Sequence, residues 1–535
     1  MNDPTSVDVG AVVVGAGFAG MYLVHELRRR GMSVRGFERG NDVGGTWYWN
    51  RYPGARCDAD SVYYSFSFDR ELEQEWTWNE RFSTQPEILK YLNHVADRFE
   101  LRQLFTFDTS VESATYDDAT NRWTIGLDSG EQVTARYVVM ATGCLSIGNL
   151  PDLPGMDRFT GATYHTGMWP HEGVDFTGNR VAVIGTGSSG IQAIPKIAEQ
   201  ATHLTVLQRT PTFTVPAQNR PLDVKEIADV KAKYPQLRED SRRSPGGVPI
   251  PELQPSALAV PEAERIASFE KMWAAGGGGI LYAYQDLMRD KRANDTIADF
   301  IRGKIDAIVD DPAVADRLKP YGFPVGAKRI CVDTDYYATY NRSNVTLVDL
   351  RSEPIQEVTE TGVRVGDREI EVDAIVFATG YDALTGALNR INIVGKDGIS
   401  LADEWAAGPR TYLGLAVNGF PNLFMITGPG SPAVLSQMVI SIEQHVEWIS
   451  ALLDHKEAHG YTRVEAERDA QDEWVDHVND VASRTLMLEA SSWYLGANVP
   501  GKPRVFMPYA GGVGPYRAIC DEVAAAGYKG FTLAV

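Results

Sequence analysis

Val9-Gly10-Ala11-Val12-Val13-Val14-Gly15-Ala16-Gly17-Phe18-Ala19-Gly20 decides the fold. A short apolar run of β-type composition leads straight into G-x-G-x-x-G, the pattern of a buried parallel strand entering a tight turn. The spacing predicts a helix over residues 19–30 and a second strand over 33–37. That strand ends at Glu38, 18 residues past Gly20. Strand, glycine turn, helix, strand and acid in register describe a dinucleotide-binding unit. Gly15, Gly17 and Gly20 let backbone approach a pyrophosphate, and the helix N-terminus turns its positive dipole end toward it. Glu38 stands where a ribose-binding acid is expected.

The pattern recurs. Val181-Ala182-Val183-Ile184 precedes Gly185-Thr186-Gly187-Ser188-Ser189-Gly190, with a helix expected over 189–200 and a strand over 203–207. Glu38 is the 23rd residue after Gly15, and the 23rd after Gly185 is Gln208. The ribose acid has become a neutral amide followed by Arg209 and Thr210. A carboxylate there repels a 2′-phosphate, whereas an amide beside a cation does not, so the second unit reads as an NADP site. An arginine, Arg39, also follows Glu38, so the missing acid carries most of this inference. The expected NADP contacts on the loop and its helix are Thr186, Gly187, Ser188, Ser189 and Gln192.

Two further strand-like runs end in A-T-G, at 137–143 and 374–380. Such strands let a chain cross between nucleotide domains. The expected architecture is α/β, with two Rossmann-like dinucleotide-binding domains and a helical insertion. The flavin domain would comprise 1–150 and 381–535. A linker and the NADP domain would occupy 151–380. Over about 216–311 strand signals give way to charged helical stretches broken by Ser244-Pro245-Gly246-Gly247 and the glycines of 276–279, which marks the insertion.

A chain of 535 residues suits about three domains. A formal net charge of −20 argues against nucleic acid and anionic membranes as partners. No apolar run reaches the roughly 18 residues of a membrane span. Residues 1–8 are too short and acidic for a secretory signal. The four scattered cysteines, Cys57, Cys144, Cys331 and Cys520, fit a reduced, cytoplasmic protein. No metal-ligand spacing occurs, and the sequence carries no signal for an oligomeric state.

Between the two loops runs Phe159-Thr160-Gly161-Ala162-Thr163-Tyr164-His165-Thr166-Gly167-Met168-Trp169-Pro170. With it the chain resembles the flavin-dependent Baeyer–Villiger monooxygenases, whose fingerprint is F-x-G-x-x-x-H-x-x-x-W-P. The resemblance runs from about Val9 to Leu533 and leans to the phenylacetone and steroid type. It implies bound FAD, reduction by NADPH, and reaction with O₂ to a flavin C4a-peroxide. That species attacks a small-molecule ketone to give an ester or lactone.

Residue by residue, the resemblance places Gly45, Thr46 and Trp47 along the flavin, in a segment rich in glycine and aromatics. It adds Asp58, Tyr64 and Val111, the last through its backbone. Lys328 matches a residue that reaches the NADP 2′-phosphate. Arg329 matches the catalytic arginine, oriented by Asp58. A permanently charged guanidinium suits a reaction that develops two oxyanions. Trp493 lies in a loop that closes over nicotinamide and substrate. Leu435 and Met438 line an apolar substrate pocket beside the loop 428–435. His165 and Trp169, set between the nucleotide units, couple domain rotation to cofactor state rather than touching the ketone. Three other classes share some of these features. An N- or S-oxygenating flavin monooxygenase usually lacks the Trp-Pro ending and the Arg329 context. A disulfide reductase needs a close cysteine pair. A regulatory flavoprotein binds flavin without turnover.

Overall fold

The structure, a computed structural model, describes residues 9–250 and 252–535. Residues 1–8, read above as too short for a signal, lie outside the described residues. Two sheets organise the chain. The first runs in the order Asn392–Val394, Val111–Asp117, Arg122–Leu127, Gln132–Met140, Val9–Val14, Val34–Phe37, Phe105–Thr106. Leu423–Met425 also pairs with Gln132–Met140. Val9–Val14 is parallel to both neighbours and the 111–140 strands form an antiparallel meander. The second sheet is parallel throughout, in the order Val345–Asp349, His203–Gln208, Arg180–Ile184, Ala374–Phe377, Ala162–His165.

Each glycine loop leaves the C-terminal end of its central strand and enters a helix, Phe18–Arg29 in one unit and Ser188–Gln200 in the other. The registers correspond: Val14 pairs with Phe37, and Ile184 with Leu207. The first helix buries Met21, Leu23, Val24 and Leu27 against its sheet. Each such side chain contributes about 1.5–3 kcal/mol relative to exposure. Arg28 and Arg29 in its last turn complement the helix dipole.

The fingerprint segment differs from its expected role as a plain connection. Ala162–His165 is itself an edge strand of the second sheet, paired with Ala374–Phe377 about two hundred residues on. Of the two A-T-G strands, Gln132–Met140 sits in the first sheet and Ala374–Phe377 in the second.

The insertion is shared between two cores. Phe269, Ile297, Ile301 and Ile305, on helices Glu262–Ala275 and Lys291–Ile308, pack with Val181, Val183 and Ile191 of the second unit. Helix Val224–Arg243 docks on segments next to the first sheet instead. There the buried Arg238 donates to Glu73 Oε1 at 2.8 Å, Ser65 Oγ at 2.8 Å and the Tyr63 carbonyl at 3.1 Å. Removing one partner of such a buried pair costs about 3–5 kcal/mol, so this helix is firmly held to the flavin-side chain.

Candidate active site between two nucleotide loops

The two loops share one backbone form. Gly15 has φ +106° and Gly185 φ +107°, a region that favours glycine. A Cβ at Gly20 would stand 1.8 Å from the Gly15 carbonyl oxygen, and one at Gly190 2.4 Å from that of Gly185. Both third glycines therefore exist for close packing of turn on helix.

The first loop is covered by its own chain. Glu38 is buried, and its two oxygens accept from the N–H groups of Ala16 at 2.8 Å and Gly40 at 2.7 Å. Among the described residues it has no ion-pair partner, and a carboxylate keeps lone pairs for further donors. Gly45, at φ +54°, presses on the loop: a Cβ there would be 2.8 Å from the Gly17 Cα. Thr46 and Trp47 open a one-turn helix immediately after it. The Trp47 indole N–H donates to the Tyr64 hydroxyl at 3.2 Å, and the Tyr64 ring meets Phe18 edge-on at 5.3 Å. Val111 begins the strand just after Thr109, whose N–H donates to the Glu38 carbonyl. The residues expected at the flavin thus converge, and a small-residue loop beside an unpaired buried acid fits an adenine dinucleotide.

The second loop is open. A Cβ on Gly187 would meet nothing within 4 Å. Ser188 Oγ lies 3.3 Å from Cys331 Sγ, and Ser189 Oγ 3.0 Å from Thr166 Oγ1 in the fingerprint. Thr186 donates to the Thr210 carbonyl at 3.0 Å. Gln192, expected at NADP, is engaged across the join: its Oε1 accepts from Tyr52 at 2.8 Å and its Nε2 donates to the Arg56 carbonyl at 3.1 Å. Gln208 is fully buried and donates to the Arg317 carbonyl at 2.9 Å. Its position is neutral, and the exposed cation is Arg209. The Lys328 ammonium lies over the Phe323 ring, 4.7 Å from its centroid, within range of the Arg209 charge. Burial, and then the Arg209 charge, hold the Lys328 ammonium below its usual range. Among the described residues neither cation has an ion-pair partner. Two uncompensated neighbouring cations fit a 2′-phosphate.

Arg329 is placed by pairing of Thr214–Pro216 with Cys331–Asp333, which carries the residue just ahead of that short strand to the join between units. Its Nε and Nη2 donate to Asp58 Oδ2 at 3.0 and 2.6 Å, and its Nη1 to the Val434 carbonyl at 2.8 Å. Asp58 above all keeps the guanidinium protonated, shifting its pKa upward against burial. Val434 sits in the one-turn helix Ala433–Leu435, where Ala433 takes φ +35°. A non-glycine residue held there stores about 1–3 kcal/mol of strain. Leu435, Met438 and Trp493 pack on the apolar cluster of Cys144, Leu384, Phe506 and Met507.

The loop bearing Trp493 is tied to both crossings between units. Asn498 donates to the Tyr381 carbonyl at 2.7 Å, Asn149 to the Asn498 carbonyl at 2.9 Å, and Lys502 to Asp382 at 2.6 Å. His165 is buried and its Nδ1 accepts from the Gly167 N–H at 2.9 Å; burial lowers its pKa, so the ring is neutral. Trp169 is buried, and its backbone N–H donates to the Trp49 carbonyl at 3.3 Å. Among the described residues neither side chain hydrogen-bonds Arg329 or Asp58. Among the same residues no group of three or more His, Cys, Asp or Glu is arranged to hold a metal, and no helix is long and apolar enough to cross a membrane.

Two dinucleotide units joined through an arginine–carboxylate pair define a two-dinucleotide flavoprotein. The family described as pyridine nucleotide-disulphide oxidoreductase matches residues 12–229. A Baeyer–Villiger monooxygenase from Pseudooceanicola batsensis is 44% identical, over 97% of this chain and 95% of its own. A phenazine N-monooxygenase from Lysobacter antibioticus is 42% identical over 99% and 98%. A solved structure of oxidized steroid monooxygenase bound to NADP is 52% identical, covers 98% of this chain and 99% of its own, and has a TM-score of 0.94. The chain belongs to the Baeyer–Villiger monooxygenase family, FAD-containing and NADPH-dependent oxidoreductases.

Proposed function

We propose that the chain is an NADPH- and O₂-dependent monooxygenase that converts a ketone to an ester or lactone. The balance is ketone, O₂, NADPH and H⁺ in, ester, NADP⁺ and water out. One observation carries the reading. Arg329, contributed from the second unit, is bonded to Asp58 of the flavin-side chain and to the Val434 carbonyl of the pocket loop, contacts that use three of the five guanidinium N–H donors. Bound flavin, once reduced by the nicotinamide, supplies the activated oxygen. The protein's part is electrostatic. Arg329 is a fixed cation that cannot give up its proton, aimed where negative charge develops on oxygen. Asp58 orients it and offsets part of its charge. The apolar wall of Leu435, Met438 and Trp493 excludes water and selects by shape.

Glu38 and the 15–20 loop hold the FAD adenosine and pyrophosphate; Arg209, Thr210 and Lys328 hold the 2′-phosphate of NADP. Residues 1–150 and 381–535 form the FAD domain, and 151–380 the linker and NADP domain. His165 and Trp169 act between them in domain rotation. The free, buried cysteines support a cytoplasmic setting, and the partners are a small ketone and O₂, with no nucleic acid or membrane.

Oxygenation at nitrogen or sulfur is the second reading, favoured by the name of the phenazine N-monooxygenase relative. Product analysis decides between them. NADPH oxidation should rise on adding an aryl-alkyl ketone and yield ester; exclusive N-oxide or sulfoxide formation would sink the ketone reading. Arg329→Ala should keep FAD yet lose oxygenation by at least the roughly 10²–10³-fold seen on losing an oxyanion donor.

A further inference from the structure

Both members of the Arg329–Asp58 pair lean on one helix. Helix Ser188–Gln200 follows the open loop, and its first residue places Ser188 Oγ 3.3 Å from Cys331 Sγ, two residues past Arg329. Its fifth residue, Gln192, reaches the other side. The Gln192 amide N–H donates to the Arg56 carbonyl at 3.1 Å, and its Oε1 accepts from the Tyr52 hydroxyl at 2.8 Å and faces the Arg56 N–H at 3.5 Å. Arg56 stands two residues ahead of Asp58. The backbones approach closely as well: a Cβ at Gly54, at φ +84°, would stand 2.3 Å from the Gln192 carbonyl oxygen. The same segment is tied to its own unit, where the Gln85 N–H donates to the Ala55 carbonyl at 2.9 Å and the Cys57 N–H to that of Ser83 at 3.1 Å.

We propose that Gln192 is a positioning residue: by holding Arg56 it sets Asp58, and through Asp58 the Arg329 guanidinium, against the helix that follows the NADP loop. The side chain must accept from a hydroxyl and donate to a carbonyl at once. An amide does both; a carboxylate or an apolar chain of that length does not. Both Asp58 contacts, from Nε and Nη2 of Arg329, end on the same atom, Oδ2. One shared oxygen is a pivot, unlike the two parallel bonds of a fork-to-fork pair, so the backbone that carries the carboxylate decides where the pivot stands. The helix at the NADP loop thereby supports both ends of the pair, and a displacement of that helix is felt by both. The amide's polar atoms are engaged at the join, a role distinct from that of a cofactor ligand. This rests on the reading of Arg329 given above.

Gln192→Met keeps the length of the side chain and removes both hydrogen bonds. FAD content and the dissociation constant of NADP⁺ should match the wild type. In FAD-loaded protein without substrate, amide hydrogen exchange of segment 52–58 should quicken by about 2- to 10-fold, as for loss of a neutral hydrogen bond. Ester formation should lose a similar factor in kcat, with the ketone KM unchanged. In an Asp58→Asn background that further loss should disappear, since a residue acting through Asp58 then has nothing left to position. Tyr52→Phe, which removes one hydroxyl, should quicken the same exchange to a smaller degree, and it carries the test if the methionine variant folds poorly. Unchanged exchange overturns the proposal. Losses that add in the double variant make Gln192 independent of Asp58, and NADP⁺ binding that weakens as much as ester formation falls makes it a cofactor ligand; either result also overturns it. If the wild type makes no ester from any ketone, the ketone reading fails, and the exchange rates with the NADP⁺ dissociation constant still decide for or against Gln192.

Discussion

The two glycine loops have nearly the same backbone and opposite surroundings. Gly17 and Gly187 both have φ −81°, and the strands behind them pair in matching register. Yet Gly17 is faced by Gly45 from the aromatic flavin segment, and Gly187 by nothing. The acid of the first loop is buried against backbone N–H groups, whereas its counterpart Gln208 is turned to a carbonyl, leaving Arg209 and Lys328 as the charge at the mouth. Fold alone therefore does not set how a dinucleotide is used. A loop roofed by its own chain suits a cofactor that stays; an open loop with two cations at its mouth suits one that enters and leaves.

The third glycines test this most severely. Both substitutions meet backbone oxygen, which cannot swing aside, but Gly20→Ala does so at 1.8 Å and Gly190→Ala at 2.4 Å. Overpacking usually costs about 1–3 kcal/mol, and Gly20→Ala should exceed that range, giving protein without FAD and a collapsed melting temperature. Gly190→Ala should retain yellow, folded protein that binds NADPH weakly. Equal losses of FAD in the two variants would remove the distinction between resident and exchanging sites.

Charge at the mouth comes next in size. A hydrogen bond to a charged group contributes about 1.5–3 kcal/mol, so Arg209→Ala should raise the NADPH KM by about 10- to 100-fold. NADH turnover should barely change. Wild-type protein that uses NADH and NADPH with equal kcat/KM would contradict the reading of the second loop.

These contrasts were legible to different depths. Both β-turn-α-β units announce themselves because strand, glycines and helix are contiguous. So does the change from Glu38 to Gln208, a matter of counting. Arg329 and Asp58 lie 271 residues apart, and only family resemblance joined them. The Val434 carbonyl left no trace in sequence, since a backbone oxygen has no code of its own. Ala162–His165 looked like a connection because the partner that makes it a strand, Ala374–Phe377, is remote. Gln192 sits at a loop-contact position by spacing, and only the approach of Tyr52 and Arg56 showed its amide bridging the units. The split of the insertion likewise depends on Arg238 finding Glu73, a pairing that helical periodicity does not encode.

The smallest effect expected is a pH dependence at the second loop alone. Lys328 is held below its ordinary 10.5 by burial first and by Arg209 second. Its charge is therefore lost at a lower pH than that of a free lysine, and a neutral amine attracts the 2′-phosphate less. NADPH KM should rise several-fold, up to about 10-fold, as pH climbs through that depressed value, while NADH KM stays level. Folding moves the other way. A lysine whose folded pKa lies below its unfolded one leaves the unfolded chain holding more protons in that window, so its contribution to stability increases with pH. Weaker NADPH binding there is thus not the onset of unfolding, and a melting curve at each pH separates the two. Two variants sharpen the assignment. Lys328→Arg should flatten the alkaline rise, since a guanidinium keeps its proton. Arg209→Ala removes one of the two causes of the depression, so its rise should begin at higher pH than in the wild type even though its KM is larger throughout. A rise that keeps its midpoint in both variants would show that another group titrates, and that Lys328 does not face the phosphate.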